Sequence, residues 1–292
     1  MAENFKTIGL IGKYANTDLG DFMQQVADFL KTHDCHVILD QGTADTISLN
    51  GVESMDRAHL GENCDLVLVI GGDGTMLNAA RSLSKYSVPL IGINMGHLGF
   101  LTDIRSDEMN ERLDEILNGH YQAEERLLLQ VDIVREGAVI NESIAFNDVV
   151  IHKWEEARML EFETNIDGRF VNTQRSDGLI IATPTGSTAY ALSGGGPILS
   201  PTLHSLALVP ICPHTLSQRP LVVGGDSIVE ITISESGHAR AQVTCDGQIN
   251  LGVVAGDRIR ITRLERKVQL LHPSNYNYFE ILRAKLHWGE KL

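Results

Sequence analysis

The sequence predicts a protein of two domains, an α/β domain built on a doubly wound parallel sheet and then an all-β sandwich. Up to about residue 122, apolar runs of strand length alternate with segments of helical spacing, which is typical of βαβ units. After that point the period changes to short strands with hardly a helix between them, as in a sandwich of two packed sheets. A last segment, 276–288, returns to helical spacing.

The first domain alternates strands with helices. Asp18 is a candidate N-cap for a helix whose apolar residues recur from Leu19 to Leu30, and Gly119 is expected to close the last helix. The segment 50–62 is only weakly patterned. The predicted strands are 7–12, 36–39, 65–70 and 88–93, and the predicted helices are 18–30, a segment from Thr75 onwards, and 107–117.

The second domain is indicated by a succession of short strands. Asp167-Gly168 between two of them is a pair that favours a two-residue hairpin turn. The predicted strands are 127–134, 144–152, 160–166, 169–173, 179–182, 227–234, 240–245, 258–263 and 268–271. We place the α/β domain at 1–122, the sandwich at 123–275, and at 276–292 a C-terminal helix that we expect to pack back on the α/β domain.

Composition excludes several classes of protein. With 292 residues, 43% of them hydrophobic and 21% charged, the chain is long and apolar enough for a sizeable core. The net charge of −14 argues against a nucleic-acid partner, which needs a basic surface. The four cysteines lack C-x-x-C spacing and the histidines lack an H-E-x-x-H pair, so we expect reduced thiols and no protein metal site. We find no signal peptide or membrane span, and we expect a soluble, cytoplasmic protein.

The glycine turn at 71–74 is the strongest candidate site of the first domain. The apolar run 66–70 stops there, and helix-forming residues follow from Thr75. Glycines let the backbone approach an anion closely, and a helix N-terminus presents free N–H groups, so this turn suits a phosphate. Asp73 repels phosphate unless it handles a proton or a metal, which points to chemistry. The alternative is a tight strand-to-helix connection with Asp73 as a cap.

Two better-known phosphate motifs do not fit the sequence. The dinucleotide pattern G-x-G-x-x-G fails because Leu77 stands at its last position. The pattern G-x-x-x-x-G-K-[ST] fails at Gly12-Lys13, where Thr7 replaces the first glycine and Tyr14 follows the lysine. The turn therefore belongs to neither class.

A second candidate site lies in the β half, in the segment 175–197. Arg175 and Asp177 open it, and a run of small and hydroxylated residues follows at 183–189, on which a ligand can lie against the backbone. The alternative is a loop rich in Gly, Ser and Thr that binds nothing. Asn147-Asp148 in an otherwise apolar strand needs polar partners, whereas Cys245-Asp246-Gly247-Gln248 is most simply a hairpin turn.

The motifs occur in a recognisable order along nearly the whole chain. They are Gly71-Gly72-Asp73-Gly74-Thr75, Asn94-x-Gly96-x-Leu98-Gly99-Phe100-Leu101-Thr102, Asn147-Asp148, Asp177-Gly178 with Thr183-Pro184-Thr185-Gly186-Ser187-Thr188-Ala189-Tyr190, and Asp246-Gly247-Gln248. In this order they resemble the NAD kinases. The run from Thr183 to Tyr190 is far more specific than the glycine turn, which lipid kinases share. The resemblance implies an active site in the crevice between an α/β domain and a β-sandwich.

The resemblance also implies a reaction, the transfer of a phosphoryl group from ATP to the 2′-hydroxyl of the adenosine ribose of NAD. Asp73 is then the expected general base, with a Mg²⁺-ligand role as the rival assignment. Mg²⁺ is expected to arrive with ATP, so we assign no protein ligand to it. The residues expected to bind the substrates are Gly72, Asp73, Gly74, Phe100, Asn147, Asp148, Arg158, Arg175, Asp177, Thr188, Ala189, Tyr190, Ser193 and Gln248.

The sequence departs from the family's pattern at two positions. Asp148 stands where glutamate is usual, which shortens its reach by one methylene, and Gly194 stands where alanine is common.

Two alternatives remain open: a lipid kinase, against which the polar run 183–193 argues, and a non-catalytic NADP sensor, which would not need Asp73. The expected partners are NAD and ATP, with no nucleic acid and no membrane. We expect a homodimer or homotetramer formed through the β domain.

Overall fold

The computed structural model describes residues 5–12, 17–96, 98–154, 159–234 and 241–289. The chain divides into two compact units, the first formed by Met1–Glu125 with Val268–Leu292 and the second by Arg126–Lys267. These divisions differ by a few residues from the predicted bounds. The segment 268–271, which we assigned to the sandwich from its strand period, lies in the first unit. The reason is that Leu270 pairs in parallel with Leu90, so this strand extends the first sheet.

The secondary structure consists of short strands with a few helices, numbered here in chain order. The strands are β1 Thr7–Gly12, β2 His36–Asp40, β3 Glu53–Met55, β4 Leu66–Ile70, β5 Leu90–Asn94, β6 Ile104–Arg105, β7 Tyr121–Arg126, β8 Leu129–Arg135, β9 Ala138–Ala145, β10 Asp148–Lys153, β11 Leu160–Ile166, β12 Arg169–Ser176, β13 Gly178–Ala182, β14 Ser205–Ile211, β15 Leu221–Gly224, β16 Val229–Ile233, β17 Ala241–Cys245, β18 Ile249–Val253, β19 Arg258–Arg263 and β20 Val268–Pro273. The α-helices are α1 Thr17–Thr32, α2 Gln41–Ala44, α3 Arg57–Asn63, α4 Asp73–Leu83, α5 Met109–Leu117, α6 Tyr190–Ser193 and α7 Tyr278–Leu286.

The first unit is the predicted α/β domain. Its sheet has the order β3-β2-β1-β4-β5-β20-β7, and β6 pairs with β5. Strands β4 and β5 are buried along their whole length, as expected for parallel strands covered on both faces. Apolar residues of α1, such as Met23 and Val26, pack with those of β4 and β5 in one core. The elements β3 and α3 were not predicted, because the segment 50–62 has a weak apolar period, and the four-residue helix α2 was not predicted either.

The second unit is the predicted sandwich of two antiparallel sheets. Their orders are β15-β14-β13-β10-β17-β18 and β12-β11-β16-β19-β8-β9. Apolar side chains from both sheets, among them Ile151, Phe162 and Ile181, form its core. The predicted turn at Asp167-Gly168 is confirmed, since both residues have the positive φ angles (51° and 72°) that a type I′ turn requires. Strands β9, β14, β15 and β18 were not predicted, and three of them lie at sheet edges, where the hydrophobic pattern is weak.

The cysteines and the C-terminal helix also bear on the predictions. The four cysteines are free, with Cys35, Cys64 and Cys245 buried and Cys212 exposed. In the described part of the chain, no helix is long and apolar enough to cross a membrane. Helix α7 forms inside the segment predicted to be helical, and its Ile281 and Leu282 are buried. That this helix packs back on the α/β domain stays a prediction.

Candidate active site

Asp73 stands at the point where the central strand β4 gives way to helix α4. Gly72 is the N-cap of α4 and has an extended backbone (φ −106°, ψ −177°), so Asp73 occupies the first helical position. The alternative interpretation, in which Asp73 is the cap, does not agree with this placement. The carboxylate is held by a different part of the chain, the loop that follows β5.

That loop wraps the Asp73 carboxylate with hydrogen-bond donors. The backbone N–H groups of Phe100 and Leu101 donate to its two oxygens at 2.9 and 3.0 Å. The hydroxyl of Thr102 donates to it at 3.2 Å and accepts a bond from the Asn94 amide at 2.9 Å. The two motifs found separately in the sequence therefore meet, because β4 and β5 are parallel neighbours whose carboxyl ends lie side by side.

The close approach of the loop depends on Gly99. A Cβ atom at this position would collide with the Asp73 carboxylate and the Thr102 hydroxyl. Glycine is therefore required here for lack of space, and this explains its place in the second motif.

The geometry leaves Asp73 available for one more interaction. An ionised carboxylate offers about four acceptor positions, and three are taken by the loop. The residue is partly exposed, so its remaining position is open to a ligand. A fixed carboxylate with one free acceptor position is suited to receive a hydrogen bond from a hydroxyl group and then its proton.

The second unit contains a cavity of about 510 Å³, a size typical of small-molecule sites. Five of the residues that we predicted to bind substrate line it, namely Asn147, Asp148, Asp177, Ala189 and Tyr190. The other lining residues are Val150, His152, Lys153, Ile211, Thr244, Asp246 and Gly247. Most of them come from the adjacent strands β10 and β17 and from the turns at their ends.

Asp246 organises one wall of this cavity. It sits in the β17–β18 turn, as predicted, with Gly247 beside it, and both have positive φ. Its carboxylate accepts hydrogen bonds from the backbone N–H groups of Phe146, Asn147 and Asp148 at 2.7 to 3.1 Å. The simple interpretation as a turn was correct but incomplete, because the turn also fixes the polar pair Asn147-Asp148.

The run of small and hydroxylated residues at 183–189 also contacts the backbone of Phe146 and Asn147. The hydroxyl of Thr183 donates to the carbonyl of Phe146 at 2.7 Å, and its N–H donates to that of Asn147 at 2.8 Å. A Cβ on Gly186 would collide with the Asn147 carbonyl. The small residues of this run thus allow two backbone segments to lie in direct contact.

Asp148 is an unusual acid because its carboxyl group is buried in the cavity wall. Burial, and then the nearby charge of Asp246, raise the pKa of Asp148 to about 7. Such a carboxyl group changes its charge near neutral pH, and perturbed groups of this kind cluster at functional sites.

The cavity also contains charged and polar residues that the sequence analysis missed. Lys153 forms an ion pair with Asp177 at 2.7 Å, and the Nε2 atom of His152 lies 3.0 Å from the Thr244 hydroxyl. These residues belong to no motif. The signal that was available is the polar pair His152-Lys153, which directly follows the apolar run 149–151 of a predicted strand.

Other predicted residues lie away from the cavity lining. Arg175 is 62% exposed on β12, with its guanidinium 3.7 Å from Glu161, so in the described structure Lys153 and not Arg175 supplies the cation of the cavity. Thr188 and Ser193 flank the lining residues Ala189 and Tyr190, and Gln248 follows Gly247. The binding roles of these four residues stay predictions. Arg158 lies outside the described residues.

One contact and one absence also bear on the site. The ammonium group of Lys285 in α7 lies 5.8 Å from the centre of the Phe100 ring, within the first unit. The part of the chain that the structure describes contains no cluster of three or more His, Cys, Asp or Glu side chains arranged to hold a metal ion.

The first unit combines a glycine turn with a fixed aspartate, and the second has a cavity of ligand size lined by both apolar and polar residues. Together they have the parts that a two-domain nucleotide-dependent phosphotransferase needs. The model of the ATP-NAD kinase N-terminal domain matches residues 8–121, and that of the ATP-NAD kinase C-terminal domain matches residues 146–273. The chain belongs to the NAD kinase family. It is therefore an enzyme, a kinase, and this favours the NAD kinase interpretation over the lipid kinase alternative.

Individual relatives agree with this assignment. The chain is 49% identical to the NAD kinase of Nitrosococcus oceani over the full length of both proteins. It is 48% identical to that of Azotobacter vinelandii over 290 residues, which cover 99% of this chain and 98% of the relative.

Solved structures show the same fold. An NAD kinase from Archaeoglobus fulgidus in complex with ATP has a TM-score of 0.75 at 26% identity, covering 96% of this chain and 98% of that one. A yeast NADH kinase complexed with NADH has a TM-score of 0.85. It covers 99% of this chain and 90% of that one, and at 23% identity it supports the fold alone.

Proposed function

We propose that this enzyme transfers the γ-phosphoryl group of ATP to the 2′-hydroxyl of the adenosine ribose of NAD and so produces NADP. The observation that carries the proposal is the Asp73 carboxylate, held by three donors of the loop 100–102 with one acceptor position left. Phosphoryl transfer requires an oriented nucleophile and neutralised phosphate charge more than covalent chemistry by the protein.

In this proposal Asp73 accepts the proton of the 2′-hydroxyl as the oxygen attacks the γ-phosphorus of ATP, the bond from that phosphorus to the β,γ-bridging oxygen breaks, and ADP leaves. The backbone N–H groups of Gly72 and Gly74, at the start of α4, bind phosphate oxygens. Mg²⁺ enters as part of the substrate, with ATP, and offsets the charge of the phosphates. No protein ligand is assigned to it.

The cavity of the second unit holds NAD. Asn147 and Asp148 bind ribose hydroxyls or amide groups, and the exposed ring of Tyr190 offers a flat surface on which a base can stack. The ion pair of Lys153 and Asp177 gives the wall both a cationic donor and an anionic acceptor. By resemblance to the family, Phe100, Arg158, Arg175, Thr188, Ala189, Ser193 and Gln248 complete the set of substrate-binding residues. We further propose that the enzyme acts in the cytoplasm as a homodimer or homotetramer.

A coupled assay tests the proposal directly. Purified protein is incubated with NAD, ATP and Mg²⁺, and NADP is measured with an NADP-specific dehydrogenase. We expect NADP to form only when all three are present. Phosphorylation of diacylglycerol without formation of NADP would contradict the proposal, and so would tight binding of NADP without turnover, which a non-catalytic sensor would show.

A further inference from the structure

A buried histidine lies next to the loop that holds Asp73. His272 is on β20, and its side chain is only 1% exposed. Its Nδ1 atom is 2.8 Å from the Asp103 carboxylate and its Nε2 atom is 3.4 Å from that of Glu124 on β7. The imidazole ring stacks on Tyr276 with 3.9 Å between ring centres. The proposed reaction does not use any of these four residues.

The buried carboxylates of Asp103 and Glu124 need His272 as a compensating donor or charge. The carboxylates of Asp103 and Glu124 are only 5% and 16% exposed, and burying an ionised carboxylate is costly unless a donor or an opposite charge compensates it. His272 lies within ion-pair distance of both. The second oxygen of Asp103 is buried without a hydrogen-bond partner among the described residues. The position of the Asp103 side chain therefore depends on its bond to His272.

Asp103 is also the residue that ends the Asp73-binding loop. It directly follows Thr102, whose hydroxyl bonds to Asp73, and the loop N–H donors are only two and three residues earlier. Thr102 itself is tied to the end of β5 by the bond that it accepts from the Asn94 amide. His272 thus anchors the end of the loop 100–102 to β20, and this loop sets the direction of the Asp73 carboxylate.

We propose that His272 is a positioning residue for Asp73, acting through Asp103 and the loop 100–102. The inference rests on the proposed role of Asp73 as the base. Loss of the His272–Asp103 bond lets the loop shift, so that Asp73 no longer points at the hydroxyl. A misplacement of this kind lowers the rate of the chemical step more than it lowers substrate affinity.

Two substitutions separate this role from a purely structural one. In His272→Asn the side-chain amide can take the place of Nδ1 and donate to Asp103, whereas in His272→Gln it lies closer to the position of Nε2, towards Glu124. We expect His272→Gln to lower kcat by roughly 10- to 100-fold with KM for NAD and ATP changed by less than about twofold. Both variants lack the imidazole ring, but we expect His272→Asn to retain most of kcat because it keeps the donor to Asp103.

Amide hydrogen exchange gives a readout that is independent of activity. The N–H groups of Phe100 and Leu101 should exchange faster in His272→Gln than in His272→Asn, because only the former frees the loop. If His272→Gln does not fold, Asp103→Asn weakens the same contact from the other side and should show the same loss of kcat and the same faster exchange.

A double-mutant cycle with Asp73→Asn completes the test. If His272 acts through Asp73, His272→Gln causes no further loss of kcat in the Asp73→Asn background. Equal losses of kcat in the Gln and Asn variants, or an undiminished effect in that background, would overturn the inference. A wild-type kcat for Asp73→Asn would overturn the proposed role of Asp73 itself. A loss of kcat in Asp73→Asn with none in His272→Gln would overturn only the role of His272.

Discussion

At the scale of single residues, Asp73 carries the sharpest prediction. As a base it must accept a proton, which asparagine cannot do, so we expect Asp73→Asn to lower kcat by about 10²- to 10⁴-fold. The structure changes one part of this expectation. Since the N–H groups of Phe100 and Leu101 bond to different oxygens, an Asn side chain sets its NH₂ group against one donor. We therefore expect a fall in the free energy of unfolding of about 1–3 kcal/mol as well.

Thr102→Val is the matched control for that variant. It removes the hydroxyl that bonds to Asp73 and to the Asn94 amide, and so weakens the same contact, but it leaves the acid in place. We expect a comparable loss of stability in urea denaturation, and a fall in kcat well below that of Asp73→Asn because the acid is still present. Similar values of kcat for both variants would leave Asp73 as a structural residue. If Asp73→Asn mainly changes the dependence on Mg²⁺ concentration, the metal-ligand role is the correct one.

Asp148 makes stability depend on pH in a direction that the cavity determines. Its pKa is raised from an ordinary value near 4 to about 7, mainly by burial. Between these values the folded protein holds a proton that the unfolded chain has lost, so the contribution of Asp148 to stability falls with rising pH. The slope is about 1.4 kcal/mol per pH unit. Below pH 4 and above pH 7 the contribution is constant.

The comparison of wild type with Asp148→Asn isolates this effect. Asparagine keeps the shape but does not titrate, so the wild type should lose stability relative to the variant as pH rises from 5 to 7. Urea denaturation at several pH values measures the difference in the free energy of unfolding. A difference that does not change over this range would show that Asp148 keeps an ordinary pKa.

At the scale of elements, the C-terminal segment is the part whose role the sequence indicates least directly. β20 is paired inside the sheet of the first unit, and α7 follows it with Ile281 and Leu282 buried. We expect deletion of the residues after Asn275, which removes α7 and leaves β20, to expose apolar surface. The consequences should be a lower melting temperature and lower solubility.

Two controls sharpen the truncation experiment. Phe279 is exposed on α7, so Phe279→Ser should leave the melting temperature within about 1 °C of the wild type, whereas Leu282→Ala should lower it. A truncated protein with unchanged melting temperature and activity would show that α7 is dispensable.

At the scale of the whole molecule, the second unit has the surfaces that self-association would use. Apolar side chains are exposed on its four edge strands, with Ile140 on β9, Phe170 on β12, Val222 on β15 and Ile249 on β18. Edge strands with exposed apolar residues pair readily with other chains. We expect light scattering at micromolar concentration to give two or four times the monomer mass.

Charged substitutions show which edge is involved. Ile140→Lys and Val222→Lys place a charge on opposite sheets of the sandwich, and the one that lies in the interface should dissociate the oligomer. The other then serves as its control. A monomer mass for the wild type at micromolar concentration would contradict the prediction.

The sequence by itself determined the two fold classes, the turn at Asp167-Gly168, and the motifs that indicate the family. These properties are local, because the hydrophobic period and the turn type depend on residues that are close together in the sequence. The same local signal identified Asp73 as exceptional, and five of the predicted residues line one cavity.

Only the tertiary structure decided which residues far apart in the chain come into contact. Phe100 and Leu101 bond to Asp73, Asp246 fixes the backbone of Asn147 and Asp148, and Lys153 pairs with Asp177. The order of the strands in the sheets determines these contacts. The hydrophobic period of a single segment does not show which other strands will be its neighbours. The same reason applies to β20, whose strand period is as suitable for the sandwich as for the parallel sheet, and to His272, which becomes notable only beside Asp103.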